Sequence, residues 1–223
     1  MDRNISKSHL GIVIMLGAVW GLSEAALGMG LRSCASFLSG SIMTGAALFF
    51  ITASWVLTRR ILGIALLIAV TSLFKMFDAL LLSLPIQHGA VGNPIFAFFM
   101  EGAAFLILLV IYRETKKQKI ARQAVYGGIA ALLAVNLFPL VKYVTGVPAC
   151  VFPGTTVPLS LYYAPLAVFI SCVTVPLGFR AGARISLLET KLEEAPIGRK
   201  LRYIASPAAL LICLAIITLI RLG

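Results

Sequence analysis

The feature that most constrains this chain is a series of apolar segments, each roughly 20 residues long, separated by short polar stretches. A helix needs about 20 predominantly apolar residues to cross the hydrocarbon core of a bilayer. The pattern predicts an all-α integral membrane protein, a bundle of six to seven transmembrane helices. The segments lie at 10–31, 39–58, 61–83, 94–112, 124–143, 159–179 and 204–220.

The composition agrees with a membrane protein and explains the strongly basic charge. Hydrophobic residues make up 60% of the chain, charged residues 12%, and the mean hydropathy is +1.01. A soluble domain has about a quarter of its residues charged, so that class is excluded. The net charge of +11 lies mainly in the short connections between apolar segments. Membrane topology accounts for such a distribution, and we expect no nucleic-acid partner.

The distribution of Lys and Arg predicts the orientation of the bundle. If the amino terminus is cytoplasmic, inner segments hold 15 of the 19 Lys and Arg residues, and outer segments hold only Arg32 and Arg221. This bias follows the positive-inside rule and predicts a multi-pass protein of the cell inner (cytoplasmic) membrane. No small-residue cleavage site follows the polar head, so the first span is expected to be retained rather than cleaved as a signal peptide.

The connections also carry structural signals. The stretch 84–94 is rich in Gly and Pro and predicts a loop or re-entrant turn. The uncharged stretch 145–158 is expected to fold back over the bundle. Ile185, Leu188 and Leu192 share one helical stripe, which predicts a short interfacial helix that ends before Pro196. The whole chain 1–223 is therefore expected to form one bundle domain: a six-helix core at 8–184, a cytoplasmic amphipathic and basic segment at 185–203, and an extra span at 204–220.

Several ionisable residues lie inside the apolar segments. Lys75 and Asp78 are three residues apart, so they share one face of a helix. Glu24, Glu101 and Lys142 lie in three other segments. A charge at membrane depth costs roughly 2.5–3.5 kcal/mol on insertion scales, and it usually faces a bundle interior or a wet cavity. These residues therefore mark a candidate functional site.

The predicted topology places the buried charges in the same half of the membrane. At about 1.5 Å of rise per residue, Lys75 lies roughly 21 Å from the inner edge of a core about 30 Å thick. Glu24, Asp78 and Glu101 fall in the same outer half, and Asn136 lies above the middle. We expect the cluster to line a solute site, although its members could instead pair with one another and only hold the bundle together.

Aromatic residues and small residues accompany the charges. Trp20 precedes Glu24 by one helical turn and is expected to contact a flat, organic solute, but an interfacial belt has the same aromatic content. Gly17, Gly21 and Ala25 form a small-residue stripe that allows a second helix to approach closely. That second helix could belong to this chain or to a partner.

Known catalytic and metal-binding patterns are missing from the sequence. There is no phosphate-loop motif, no H-E-x-x-H and no G-x-S-x-G around a serine. The cysteines have no metal-type spacing, although Cys34 and Cys150 both lie near outer ends, where a disulfide is compatible with the topology. We therefore expect no enzymatic activity, no catalytic residue, no metal site and no cofactor.

These features together resemble the substrate-binding S component of an energy-coupling factor (ECF) transporter. The resemblance covers about 8–184. It is carried by the small basic bundle, the small-residue stripe and the polar groups beneath outer loops, and by two segments: Trp20-Gly-Leu-Ser-Glu24 and Gly92-Asn-Pro-Ile-Phe-Ala-Phe-Phe-Met-Glu101-Gly. It implies a six-helix fold that holds a vitamin-like micronutrient near the outer face. The seventh apolar segment departs from that fold.

The resemblance also implies partners and residue roles. The partners would be a small-molecule solute, a membrane coupling subunit with two ATPase subunits, and the lipid bilayer. Residues 84–94 would form a gate. The stripe Gly17, Gly21 and Ala25 would contact the coupling subunit, and the solute would contact Glu24, Lys75, Asp78, Glu101 and Asn136.

The expected function is therefore that of a membrane-embedded solute-binding subunit of a micronutrient importer. Two alternatives stay open: a self-sufficient ion- or proton-coupled secondary transporter, and a non-transport membrane assembly subunit.

Overall fold

The computed structural model describes the backbone of residues 7–27, 37–85, 88–112, 119–146, 149–194 and 196–222. Almost all of these residues are helical, and one isolated backbone bridge joins Val151 and Pro158. The helices are α1 (Lys7–Leu27), α2 (Phe37–Thr58), α3 (Ile61–Leu81), α4 (Gly89–Tyr112), α5 (Ile120–Leu137), α6 (Val141–Thr145), α7 (Leu159–Glu194) and α8 (Pro196–Leu222).

Seven apolar helices dominate the described part of the chain. A single 3₁₀ turn, Phe138–Leu140, joins α5 to α6, so that these two helices form one long segment. This segment and α1, α2, α3, α4, α7 and α8 are each long and apolar enough to cross a membrane, by length and composition. The predicted all-helical fold is thus confirmed, and seven helices among the described residues could each span a membrane, as a multi-pass protein requires.

The turn between α2 and α3 shows how a span ends at a polar boundary. Arg59 adopts a positive φ of 51° and Arg60 is extended, which reverses the chain within two residues. The Thr58 hydroxyl donates to the Ser54 carbonyl oxygen at 2.8 Å and accepts from the Arg60 N–H at 3.4 Å. The Thr58 side chain thereby provides a hydrogen-bond partner for the N–H of Arg60, the residue just before α3.

Two predicted boundaries are wrong. α4 begins at Gly89 rather than at Pro94, which lies inside the helix. Pro94 has no N–H group, so it removes one backbone hydrogen bond from α4. It lies next to the first turn, where the N–H groups have no intrahelical partners in any case, and the helix therefore tolerates it. The predicted interfacial helix after residue 184 is the end of the continuous helix α7. No Gly or Pro interrupts 184–194, and good helix formers fill it.

Small residues set the spacing between parallel helices. A Cβ atom added to Gly21 of α1 would lie 2.4 Å from the Phe74 Cβ of α3, and one added to Gly17 would lie 2.8 Å from the Val70 Cβ. The Thr71 hydroxyl of α3 also donates to the Gly17 carbonyl oxygen at 3.2 Å. Close contact of this kind stabilises membrane helix pairs through packing and polar contacts.

This packing corrects the expected role of the small-residue stripe. α3 covers Gly17 and Gly21, and the Ala25 carbonyl oxygen accepts a hydrogen bond from Arg221 of α8 at 3.2 Å. The stripe therefore joins helices of the same chain, and its face is closed to a coupling subunit. A sequence pattern of small residues cannot show which helix it faces.

Helices α2 and α7 form a second parallel pair, and α5 runs antiparallel to α7. Gly40 lies against Tyr163 near the start of both α2 and α7, whereas Gly182 lies against Val56 near the end of α2. Gly127 of α5 approaches the Ser171 carbonyl oxygen so closely that an added Cβ would lie 2.3 Å from it. Glycine is thus required where these backbones nearly touch.

A group of contacting aromatic side chains lies between α1, α2 and α4. Trp20 is fully buried, with its ring centroid 4.9 Å from that of Phe98 and 6.1 Å from that of Phe50. Helix α8 packs on the outside of α1 and α3, and Cys213 and Ile217 are its buried hydrophobic residues in the described part of the chain. The outermost helix thus contributes little to the core.

Candidate functional site

A line of polar side chains crosses the bundle at the end where α1 and α3 finish, which we name the site end. The line passes through six helices, and its four central charged side chains are at most 8% exposed. We name it the polar chain. Its members, in spatial order, are Arg221 (α8), Asp78 and Lys75 (α3), Glu24 (α1), Glu101 (α4), Thr44 (α2) and Tyr163 (α7).

Asp78 is fully engaged by two cations. Arg221 Nε donates to Asp78 Oδ1 at 2.5 Å, and Arg221 Nη2 donates to Asp78 Oδ2 at 3.0 Å. Lys75 Nζ donates to the same Oδ2 at 3.2 Å. Both carboxylate oxygens therefore have charged donors, which is the arrangement that makes a buried carboxylate tolerable.

Arg221 is the charged member of the polar chain that sequence reasoning missed. The predicted topology assigned it to an outer segment beyond the last span, but α8 continues to Leu222 and carries the side chain into the bundle. The signal was a charge directly after an apolar segment that ends at 220. Its long side chain can reach back along the helix to a buried partner.

Glu24 has one oxygen with a donor and one without. Trp20 Nε1 donates to Glu24 Oε1 at 3.3 Å, since the two residues are one turn apart on α1. Lys75 lies close enough for an electrostatic interaction with the carboxylate. Glu24 Oε2 is buried and has no hydrogen-bond donor among the described residues. This oxygen is an acceptor that the surrounding protein leaves unused.

Glu101 repeats this pattern on the other side of the site. The Thr44 side chain hydrogen-bonds to the Glu101 carboxylate, and Glu24 and Tyr163 lie within electrostatic range of it. Glu101 Oε2 is buried, and the described part of the chain supplies no donor to it. Two carboxylates from α1 and α4 thus lie within electrostatic range of each other, and each has an oxygen without a donor in the described part of the chain.

A small cavity lies beside Glu101. Its volume is about 10 Å³, which is room for about one water molecule. The Glu101 carboxylate and the side chains of Thr44 and Tyr163 form its polar wall. The rest of the wall is apolar and comes from Ala97, Ala134, Val135 and Phe138.

The structure does not bring all the predicted residues together. Trp20, Glu24, Lys75, Asp78 and Glu101 form one connected group. The predicted solute contact Asn136 is exposed on α5 and donates to the Leu132 carbonyl oxygen of its own helix at 2.7 Å.

Helix geometry explains where Asn136 lies. Val135, one residue earlier, lines the cavity, and a single helical step turns the next side chain by about 100°. Lys142, which the sequence also places among the membrane charges, is exposed on α6. The wall of the site on the α5 side is therefore apolar.

A compact turn precedes α7 at the site end. The Phe152 N–H donates to the Val157 carbonyl oxygen at 3.0 Å, and the Leu159 N–H donates to the Cys150 carbonyl oxygen at 2.7 Å. The Phe152 ring stacks on Tyr162 with a centroid distance of 3.8 Å. Cys150 is disulfide-bonded, whereas Cys34, with which the predicted topology allows it to pair, lies outside the described residues. The described part of 145–158 is thus held against the start of α7.

The expected gate at 84–94 divides into two parts. Residues 89–94 belong to the first turns of α4, and residues 86–87 lie outside the described range. Within the described range, no group of three or more His, Cys, Asp and Glu residues could hold a metal ion.

Comparison with known proteins adds no family assignment. No protein-family profile, curated protein or solved structure matches the chain. The resemblance to an ECF S component remains a prediction from the sequence features.

Proposed function

We propose that the protein is the solute-binding subunit of a micronutrient importer. It captures a vitamin-like small molecule at the site end and relies on a partner ATPase module for transport. The observation that carries this proposal is the pair of buried carboxylates, Glu24 and Glu101, each with an oxygen that has no donor in the described part of the chain. A solute with hydrogen-bond donors would satisfy both.

The free-energy cost of unpaired buried groups distinguishes the residues of the solute site from the residues that hold the helices together. An unsatisfied buried charged group costs more than the roughly 1–3 kcal/mol of a neutral one, so a fold keeps it where it has a use. Asp78 has no carboxylate oxygen left for a solute, since Arg221 and Lys75 donate hydrogen bonds to both of its oxygens. We therefore assign Glu24, Glu101 and the adjoining Trp20 to solute binding, and Asp78 to holding α3 and α8 together.

Solute capture requires the site to open. Binding sites for vitamin-sized molecules have volumes of about 300–1,000 Å³, whereas the cavity at Glu101 is about 10 Å³. The described structure thus corresponds to a closed form. The elements placed to admit solute are the turn at 149–158 and the first turns of α4, because both border the site end.

The proposed orientation has the amino terminus in the cytoplasm and the site end outside. The disulfide at Cys150 supports it, because disulfides persist in oxidising compartments and are rare in the cytosol. At the opposite end, Arg59, Lys119 and Arg122 are exposed, as the positive-inside rule predicts. The proposed location is therefore the cytoplasmic membrane. The coupling subunit would contact a surface other than the covered small-residue stripe.

The proposal is tested by mass spectrometry of small molecules that remain bound to the purified protein. We expect the wild-type protein to retain a tight, non-covalent solute and Glu101→Gln to lose it while remaining folded. Asn136→Ala is the matched control, because Asn136 is polar and exposed on the neighbouring helix α5. A folded wild-type protein that retains no solute, from any growth medium tried, would contradict the proposal.

A second candidate function is an ion- or proton-coupled secondary transporter. The water-sized cavity at Glu101 favours it, because such a cavity accommodates an ion or a proton-carrying water without any opening. Reconstituted protein that moves solute by itself in liposomes, in response to a pH or ion gradient, would favour this function. No flux without an ATPase module would favour the importer subunit.

A further inference from the structure

We propose that the cavity at Glu101 binds a monovalent inorganic cation, with Na⁺ preferred over larger ions. The ligands from this chain are the Glu101 carboxylate and the hydroxyl groups of Thr44 and Tyr163. The proposal rests on the geometry and charge of the polar chain, and it holds whether or not the protein is an importer subunit.

The charge of the polar chain supports a cation of single charge. Three carboxylates, those of Glu24, Asp78 and Glu101, lie in the same buried line as two cations, Lys75 and Arg221. With all five groups ionised, the line carries one excess negative charge inside a low-dielectric bundle. One monovalent cation neutralises this charge, whereas a divalent cation would replace it with a positive one.

With all five groups ionised, the excess negative charge lies nearest to Glu101. Both cations contact Asp78, and Lys75 also interacts electrostatically with the Glu24 carboxylate. On the far side, Glu101 has the Thr44 side chain as its hydrogen-bond partner and the carboxylate of Glu24 as a neighbour. Its Oε2 has no donor in the described residues and lies fully buried. A cation at this position therefore gains attraction from two carboxylates.

The size and chemistry of the cavity select the ion. A volume of about 10 Å³ holds one water-sized particle, which admits a dehydrated Na⁺ or K⁺ ion. The smaller Na⁺ approaches the carboxylate more closely and gains more Coulomb attraction. The polar side chains of the wall, Glu101, Thr44 and Tyr163, carry oxygen atoms, which are the ligands that hard cations prefer. A larger organic cation such as choline does not fit without rearrangement of the apolar wall at Ala134 and Val135.

Protonation of a carboxyl group is the competing way to remove the excess charge. A proton shared between Glu24 and Glu101 would neutralise the line without any metal ion. The two possibilities differ in their response to salt. Cation binding depends on the identity and concentration of the cation at fixed pH, whereas protonation depends on pH alone.

The test measures thermal unfolding of the full chain in lipid nanodiscs. The chloride salts of Na⁺, K⁺ and choline are compared at fixed pH and constant ionic strength. A ligand that binds only the folded state raises the melting temperature in a saturable, concentration-dependent way. We expect saturable stabilisation by Na⁺, less by K⁺ and none by choline. Direct binding of radioactive Na⁺ to the same sample provides a second measurement that does not depend on stability.

Substitutions locate the ion. Thr44→Val keeps the shape and removes one oxygen ligand, and we expect it to raise the apparent Kd for Na⁺ by about tenfold, or about 1.4 kcal/mol. Glu101→Gln should abolish the Na⁺ response, and Asn136→Ala should leave it unchanged. If Glu101→Gln fails to fold, Thr44→Val still decides the outcome.

Two results would overturn the inference. One is a melting temperature that responds equally to Na⁺, K⁺ and choline, together with no binding of radioactive Na⁺. The other is a response to pH alone, which would assign a proton to the site. Because solute retention is measured separately, a protein that binds Na⁺ but retains no solute would contradict the proposed function and leave the cation site standing.

Discussion

Arg221 of α8 hydrogen-bonds both carboxylate oxygens of Asp78 in α3, across a separation of 143 residues in the sequence. The same guanidinium donates to the Ala25 carbonyl oxygen of α1 at 3.2 Å. One side chain thus ties the outermost helix to two others. It also satisfies Asp78, so that Glu24 and Glu101 are the carboxylates of the polar chain with oxygen atoms available to a ligand.

The first prediction concerns the stability of this ion pair. Asp78→Asn removes the negative charge and leaves Arg221 and Lys75 buried without their counterion. Breaking a buried pair from one side costs about 3–5 kcal/mol, so we expect a large loss of stability in thermal or chemical unfolding in detergent. Glu101→Gln, by contrast, should not destabilise the protein, because it removes a buried charge whose Oε2 has no donor in the described residues.

A double-mutant cycle tests the Asp78–Arg221 contact directly. Arg221→Gln should also destabilise the protein, and the combined substitution should cost less than the sum of the two single ones, because they remove the same interaction. Additive effects would show that Asp78 and Arg221 do not contact each other as described.

The second prediction concerns the packing of α1 on α3. Gly21→Ala would place a methyl group 2.4 Å from the Phe74 Cβ, which is not the flexible end of a side chain. Overpacking of this kind costs about 1–3 kcal/mol, and we expect a corresponding loss of stability.

Gly11→Ala is the control on the same helix. Its added Cβ would lie 3.6 Å from the Ser206 Cβ, an ordinary contact, and Ala favours the helix by roughly 1 kcal/mol over Gly. We expect its stability to be equal to or higher than that of the wild type. Equal stability of the two variants would show that α1 and α3 are not packed as described.

Much of the architecture could be predicted because membrane spans are local features of the sequence. Length and apolar content located all seven apolar helices, since each is a continuous run. Helix ends were less predictable. Pro94 lies inside α4, and α7 continues past its apolar part to Glu194, because helix-forming residues follow it without an interruption.

The site was predictable only in part, because its contacts are distant in sequence. The cost of a buried charge identified Glu24, Lys75, Asp78 and Glu101 as members of a cluster. The same argument could not show that Arg221, which follows the last predicted span, would contact Asp78. It also could not show that Asn136 would face outward. Those outcomes depend on how the helices rotate and pack, which no local pattern encodes.

The third prediction concerns membrane orientation. Tyr143 is exposed on α6 at the site end, and Lys119 is exposed just before α5 at the opposite end. Each is replaced by Cys in a separate variant, Tyr143→Cys and Lys119→Cys. A membrane-impermeant maleimide applied to intact cells should label Tyr143→Cys and not Lys119→Cys, and permeabilisation should make Lys119→Cys reactive. The wild type is the control, since the free cysteines among its described residues, Cys172 and Cys213, are half-buried and buried in spans. The reverse labelling pattern would place the amino terminus outside.

The central claim is that Glu24 and Glu101 together bind a ligand while the Asp78 ion pairs hold the fold. The most direct measurement is an experimental structure of the protein purified under mild conditions, with its retained molecules in place. We predict non-protein density within hydrogen-bonding distance of both Glu24 Oε2 and Glu101 Oε2, with Arg221 and Lys75 still bound to Asp78. A structure in which both oxygens bond to donors of this chain, with no density between the carboxylates, would contradict the account.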